Sequence, residues 1–175
     1  MMRKVAVARC ALVVLTLSML AASGADKTVT NKEFGFEITF PESWVVTTVE
    51  RGFAAGIRGD ANKHGLLLQV RGCGVSAGGD SKKLADTVDA KKRTLINEKL
   101  IEKADVKLDG KEAYRVIREY DYDDKGVRFK GVFYFLVAGE RGYMLAIASS
   151  ADVFEKYDAK DIDAIVKSFK LIEAK

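Results

Sequence analysis

Histidine, proline and cysteine are scarce in this 175-residue chain, which contains one His, one Pro and two Cys. Catalytic zinc usually takes two or three imidazole ligands, so a single His excludes most zinc chemistry of that kind. No proline-rich linker, internal repeat or low-complexity stretch is present. The remaining composition, 48% hydrophobic and 31% charged residues, is typical of one globular domain.

The first 25 residues have the three-part pattern of a secretory signal peptide. Three basic residues precede an uncharged apolar run at residues 10–20, and residues 23–25, Ser-Gly-Ala, supply small side chains for cleavage. An uncleaved membrane anchor is the alternative, although so short a run cannot span about 30 Å of hydrocarbon as a helix. We therefore predict a signal peptide over residues 1–25 and one exported domain, periplasmic or secreted, over residues 26–175.

Cleavage at this point would leave a nearly neutral domain with one thiol. The 29 basic residues fall to 26, against 25 acidic residues, which gives a formal charge of +1. Nucleic-acid binding requires a basic surface, so we predict no nucleic-acid partner. Cys73 is the remaining cysteine and cannot form an internal disulfide. Its thiol is either buried as a small apolar group or accessible and reactive.

Hydrophobic alternation predicts extended structure in the first half of this domain. Residues 34–40 alternate apolar and polar side chains, as in a half-buried strand, and residues 44–46 begin a second strand. The glycine-rich residues 51–65 are predicted as a hairpin or loop. Residues 66–70 form a buried strand, and residues 72–79, with four glycines, are predicted as a loop.

Helical spacing appears on both sides of the remaining strands. Ser81 is predicted to cap a helix that runs to about Leu100, with one apolar face made by Leu84, Val88, Leu95 and Ile96. Ser149 and Asp152 resemble a capping box at the start of a short helix. A last helix has apolar residues spaced i, i+3, i+4 and i+7 from Ile162, which predicts that it docks on a sheet.

Three long segments between these helices are predicted as antiparallel strands joined by tight turns. They cover residues 111–122, 127–138 and 143–149. Sequential strands with helices before and after them indicate an α+β fold, with an antiparallel sheet flanked by helices, and not a doubly wound parallel sheet.

Aromatic side chains are concentrated on these strands. We hypothesise that an apolar pocket on the sheet is lined by Tyr114, Tyr120, Tyr122 and Phe129. The alternative is that the same aromatics pack in the core under the helices.

Three apparent motifs do not hold the residues that their chemistry needs. Residues 74–78 spell GxSxG, but the only His, His64, lies upstream, where the hydrolase order requires it downstream. Residues 72–77 spell GxGxxA, but further residues intervene before the helix that should hold the pyrophosphate. The acidic turn that begins at Asp121 has Lys125 where a calcium loop needs an oxygen ligand. We predict no catalytic residues, no metal site and no cofactor.

Three short phrases resemble the PsbP/Mog1-type family of α/β/α sandwiches. They are Phe34-Gly35-Phe36 leading to Phe40-Pro41 and Trp44, Asp109-Gly110-Lys111 before Ala113-Tyr114, and Ser168-Phe169 near the end. Together they span residues 34–169, nearly all of the predicted domain. The resemblance implies that fold and a non-catalytic accessory or partner-binding role, without a defined activity.

Three functional hypotheses follow from the sequence. The leading one is an exported, non-catalytic accessory or binding protein that engages a protein partner at the cell envelope. The second is a carrier of an apolar small molecule in a pocket beside the Tyr/Phe-rich sheet. The third is an enzyme that uses acidic residues or Cys73, which requires a perturbed carboxylate pair or a low-pKa thiol in a cleft.

Overall fold

The structure is a computed structural model that describes residues 26–50, 53–58, 65–74, 79–90, 95–121, 126–157 and 159–173. Its helices are α1 (Ser81–Ala90), α2 (Ala151–Phe154) and α3 (Ala159–Ser168). Its strands are β1 (Lys27–Asn31), β2 (Phe36–Phe40), β3 (Val45–Glu50), β4 (Phe53–Arg58), β5 (Leu66–Gly74), β6 (Ile96–Leu108), β7 (Lys111–Asp121), β8 (Arg128–Ala138), β9 (Arg141–Ser150) and β10 (Lys170–Leu171). The predicted signal peptide lies outside the described residues.

The strands form two antiparallel sheets. The larger has seven strands in the order β3-β4-β5-β9-β8-β7-β6, and the smaller has three in the order β1-β2-β10. Neighbouring strands β6 to β9 are consecutive in sequence and pair as a meander. The α+β prediction, an antiparallel sheet flanked by helices, is confirmed.

Helices cover parts of both faces of the seven-stranded sheet. On one face, α1 packs over β7 and β8 through Leu84 and Ala85, against Val116 and Phe135. On the other face lie α2, α3 and the smaller sheet, and this side contains the larger hydrophobic core. The period-two alternation of β7 explains the division, because successive side chains enter opposite layers.

Aromatic side chains join the smaller sheet to the rest of the core. Phe36 is fully buried, and its ring lies 6.1 Å from that of Phe169 and 6.4 Å from that of Tyr143. The Ser168 hydroxyl accepts a hydrogen bond of 2.9 Å from the Thr39 amide and so ties α3 to β2. The aromatic residues of the family-like phrases are therefore core residues.

The predicted first helix is too long. The described part of α1 ends at Ala90, and Ile96 begins β6, where it pairs with Asp121 of β7. Ile96 is 45% exposed, so it does not extend the buried face of the helix as the spacing predicted. The ladder with β7 supplies backbone hydrogen bonds that outweigh the weak local helical pattern.

The first three residues of the glycine-rich segment 72–79 belong to strand β5. Gly72 lies opposite Tyr143 of β9 and Cys73 lies opposite Gly142, so the predicted loop over residues 72–79 is wrong for residues 72–74. A Cβ at Gly72 would collide with the ring of Phe34. Glycine is needed here for close packing, and residues 75–78 lie outside the described part.

Two predicted helix caps are displaced by one residue. The Asp80 carboxylate, not Ser81, accepts a hydrogen bond of 2.7 Å from the Lys83 amide at the start of α1. The N-cap of α2 is Ser150, whose side chain makes no capping hydrogen bond, because β9 extends through it. Ser149 is fully buried at the end of that strand.

Candidate partner-binding groove

A groove of about 430 Å³ lies where the start of α1 meets the sheet. α1 supplies one wall, and the ends of β6, β7 and β8 supply the floor and the other wall. The lining residues are Gly79, Asp80, Ser81, Lys82, Asp105, Glu112, Ala113, Tyr114 and Val137. This volume is within the range of protein sites that bind ligands.

Ser81 fixes the wall of the groove to the sheet. Its hydroxyl donates a hydrogen bond of 3.0 Å to the Glu112 carbonyl and accepts one of 3.1 Å from the Val137 amide. Asp80 caps the helix beside it through the Lys83 amide. Both strands are thereby held to the first turn of α1, so the groove is pre-formed.

Tyr114 forms the apolar part of the floor. It is 7% exposed and packs with Leu84, Ala85, Val116 and Phe135 in the cluster under α1. Tyr114 therefore contributes to the lining of the groove and is held in place by the cluster. Tyrosine is one of the residue types enriched among the residues that dominate binding at protein interfaces.

The rim of the groove is charged. Asp80, Asp105 and Glu112 contribute three carboxylates, against the single ammonium of Lys82. Glu112 also lies 3.7 Å from Lys107, but the two side chains are 79% and 70% exposed, so this pair is weak. The lining residues together favour a ligand with a basic group and hydrogen-bond donors.

The four aromatic residues predicted as a pocket do not meet in one place. Tyr114 lies in the groove, whereas Tyr120 stacks on Phe129 at a centroid distance of 6.0 Å near the other end of β7. Six residues along a strand correspond to about 20 Å. Tyr122 lies outside the described residues.

A buried arginine separates these two aromatic positions. Arg118 is 2% exposed and donates hydrogen bonds to Asp89 of α1 at 2.9 Å and to Glu98 of β6 at 2.5 Å. Its guanidinium lies 5.2 Å from the centre of the Phe133 ring, while its Nε has no hydrogen-bond partner among the residues that the structure describes. Sequence reasoning missed this residue, although a single charge within the apolar face of β7 was the available signal.

A polar cluster fixes the start of β6 to its neighbours. Asn97 donates a hydrogen bond of 2.6 Å to Asp121, and Arg128 donates one of 3.1 Å to the same carboxylate. These two donors hold the pKa of Asp121 below its usual value, with Asn97 the larger cause. Arg128 also donates to the Asn97 carbonyl at 2.7 Å, which supports the left-handed φ of 49° at that residue.

The described residues contain neither a cluster of metal-ligating side chains nor a membrane-spanning helix. Within those ranges, no three His, Cys, Asp or Glu side chains are grouped so that they could hold a metal ion. No helix in the same ranges is both long enough and apolar enough to cross a bilayer. The side chain of Cys73 and the whole of His64 fall outside what the structure describes.

Comparison with known proteins gives the fold. No family model matches the sequence, and no curated protein matches it significantly. Cyanobacterial PsbP (CyanoP) from Synechocystis sp. PCC 6803 is structurally similar, with a TM-score of 0.61, 14% identity, and coverage of 89% of this chain and 98% of that one. LpqN, involved in cell envelope biogenesis of Mycobacterium tuberculosis, has a TM-score of 0.66, 11% identity, and coverage of 85% and 91%.

A protein from Bacteroides thetaiotaomicron is also similar, with a TM-score of 0.59, 9% identity and coverage of 84% of this chain. The present chain spans about half, 48%, of the length of that protein. The expected resemblance to the PsbP/Mog1-type fold is confirmed. At these identities the likeness shows the fold alone.

Proposed function

We propose that this protein is an exported, non-catalytic accessory protein that binds a segment of a protein partner at the cell envelope. The binding site is the groove between the start of α1 and strands β6 to β8. The observation that carries this proposal is the combination of a rigid Tyr114 floor with a rim of three carboxylates. The signal-peptide pattern and the PsbP-like and LpqN-like fold support it.

The polar rim favours a protein segment over an apolar small molecule. An apolar ligand would remove water from Asp105, Glu112 and Lys82 without replacing their hydrogen bonds, and that desolvation costs free energy. A peptide segment can bring backbone N–H donors and a Lys or Arg side chain to the rim. Its apolar side chains can then pack on Tyr114.

The carrier hypothesis retains one supporting observation, which is the presence of Tyr114 in a groove large enough for a small ligand. Native mass spectrometry of the protein purified gently from its exported fraction tests it. An additional mass of a few hundred daltons that is lost on activation would favour a carrier. A bare polypeptide mass is the result that we expect.

Charge reversal on the rim tests the binding of a protein partner. We expect Asp105→Lys combined with Glu112→Lys to lower recovery of the partner by at least about tenfold after crosslinking in cells. The Ser81 bond to the backbone of residue 112 remains, so α1 should stay in place. A matched control reverses two exposed charges in turns away from the groove, Glu33→Lys with Glu42→Lys. Equal recovery from both double variants would contradict the proposal.

A further inference from the structure

The outer edge of β6 carries an apolar pair between charged residues. β6 is the last strand of the seven-stranded sheet, and in the part of the chain that the structure describes no strand pairs with that edge. Leu100 is 52% exposed and Ile101 is 45% exposed. They are flanked on both sides by an acid and a lysine, because residues 98–103 are Glu-Lys-Leu-Ile-Glu-Lys. An exposed strand edge with apolar side chains can accept a further strand.

We propose that this edge pairs with the same edge of a second copy of the chain. Antiparallel pairing about a two-fold axis would make one sheet continuous through both protomers. The register that we infer places Leu100 opposite the partner's Ile101, Lys99 opposite the partner's Glu102, and Glu98 opposite the partner's Lys103. Symmetry makes each of these contacts twice.

In this register each charged residue among residues 98–103 lies opposite a residue of the other charge in the second copy. In the two adjacent registers like charges lie opposite each other. A shift of one residue in one direction places Glu98 opposite the partner's Glu102. A shift in the other direction places Lys99 opposite the partner's Lys103. Like charges directly opposite each other destabilise a strand pair. When the sequence of residues 98–103 is reversed, each of its charges lies opposite a charge of the other sign. A strand that binds an unrelated partner does not need this property, so the pattern favours a second copy of the chain.

A bulge in β6 makes this register geometrically consistent. Opposed side chains must lie on the same face of a sheet, and a two-fold axis normal to the sheet preserves the face. In β6, Lys99 lies opposite Glu119 and Glu102 lies opposite Ile117, which leaves one extra residue between them, at Ile101. Glu119 and Ile117 share a face of β7, so Lys99 and Glu102 share a face of β6.

The other charged pair satisfies the same condition on the opposite face. Glu98 bonds Arg118, and Lys103 lies opposite Val116 and within 4.0 Å of Asp86 in α1. Both side chains therefore lie on the face that α1 covers. Without the bulge, each proposed pair would place its two side chains on opposite faces.

Lysines and bulges on an edge strand are also the usual means by which proteins prevent edge-to-edge association. In that explanation the lysines oppose burial of the edge because their charges must be desolvated, and the bulge twists the edge away from a partner strand. Here the antiparallel copy meets opposite charges on both sides of an apolar centre. The two explanations therefore predict different association states.

Sedimentation velocity on the protein in the form that the cell produces separates the two explanations. We expect a concentration-dependent monomer–dimer equilibrium between about 1 and 100 µM, weakened by added salt because the charges are exposed. Sedimentation reports self-association whether or not another partner binds in the groove, so failure here leaves the proposed function untouched. A monomer throughout this range would overturn the inference.

A charge exchange tests the register itself. Lys99→Glu alone creates two Glu–Glu contacts. Glu102→Lys alone creates two Lys–Lys contacts and also removes the ion pair between Glu102 and Arg115 within each protomer. We expect each to raise the dimer Kd by about ten- to thirtyfold. An equimolar mixture of the two variants should restore association, because each contact then joins a Glu to a Lys.

The mixture provides its own control for folding, because a variant that fails to fold cannot associate with the other. Circular dichroism confirms the strand content of each variant separately. If either variant dimerises as well as wild type, or if two folded variants do not associate when mixed, the register is wrong.

Discussion

Arg118 of β7 and Asp89 of α1 form an ion pair of 2.9 Å that fixes the end of α1 over the sheet. Arg118 also bonds Glu98 at 2.5 Å, so one buried side chain joins a helix, the edge strand β6 and the strand next to it. The arginine is 2% exposed, whereas Asp89 and Glu98 are 28% and 35% exposed. Burial is therefore unequal, and most of the desolvation falls on the guanidinium.

Because the arginine is more deeply buried than the two carboxylates, removing the carboxylate charges should destabilise the protein more than removing the arginine. Asp89→Asn with Glu98→Gln leaves a buried cation without a counter-charge and should lower the free energy of unfolding by about 3–5 kcal/mol. Arg118→Met leaves two carboxylates that water reaches, and it should cost about 1–3 kcal/mol. Urea unfolding monitored by circular dichroism measures both. A larger loss for Arg118→Met would contradict the assignment.

Gly56 of β4 lies against the ring of Phe40, which is fully buried. Gly56→Ala would force that ring from its position and should cost about 1–3 kcal/mol of stability. Phe40→Ala removes the colliding ring atoms at a cost of its own. The double variant should therefore be more stable than the sum of the single effects allows, and chemical denaturation of all four proteins gives the coupling energy. Strict additivity would show that the two residues do not meet.

Acidification should remove the contribution that Asp121 makes to the stability of the folded protein. Asn97 and Arg128 lower its pKa in the folded protein below the ordinary 3.8. The stabilisation is therefore complete above that value and is lost as the pH falls through the folded pKa. The difference in Tm between wild type and Asp121→Asn should be largest near about pH 6 and shrink below about pH 3.8. Asp152, whose pKa is also lowered, is present in both proteins and cancels. A difference in Tm between the two proteins that grows as the pH falls would contradict this prediction.

The two separated aromatic positions should differ in their importance for stability. Tyr114 is 7% exposed within the cluster under α1, so Tyr114→Ala should cost about 3 kcal/mol or more. Tyr120 is only partly buried, and its ring stacks on that of Phe129, so Tyr120→Ala should cost about 1 kcal/mol. Thermal unfolding of the two variants measures this difference. Equal losses would show that Tyr120 is packed as deeply as Tyr114.

Sequence patterns predicted the central elements because their side chains are buried on a regular period. Strands β2 and β7 alternate between buried and less buried residues, β8 and β9 are apolar and buried over most of their length, and in α3 the spacing of Ile162, Ile165 and Val166 gives the buried face. The family-like phrases are core aromatics, so they identified the fold correctly. Core residues of this kind carry information about packing, and Tyr114, which belongs to one of these phrases, also lines the groove.

The edge strand β6 and several polar contacts were missed because their stabilisation is not local. Most of β6 is exposed, and its many charged residues leave no clear alternation of apolar and polar side chains. The strand is therefore recognised only from its pairing with β7. Whether Asp80 or Ser81 caps α1 depends on the carbonyl of Glu112, which is distant in sequence. The groove has the same origin, because Tyr114, Asp105 and Lys82 meet only after α1 docks on the sheet.

Site-specific photo-crosslinking tests the central claim, which is partner binding in the groove, most directly. A photoreactive amino acid replaces Lys82 on the rim in one protein and Val45 in a control, because Val45 is 67% exposed on β3 at the opposite edge of the sheet. After irradiation in cells, we expect one discrete protein adduct from position 82 and none from position 45. The same adduct from both positions, or none from position 82 at native expression, would contradict binding of a protein partner in the groove.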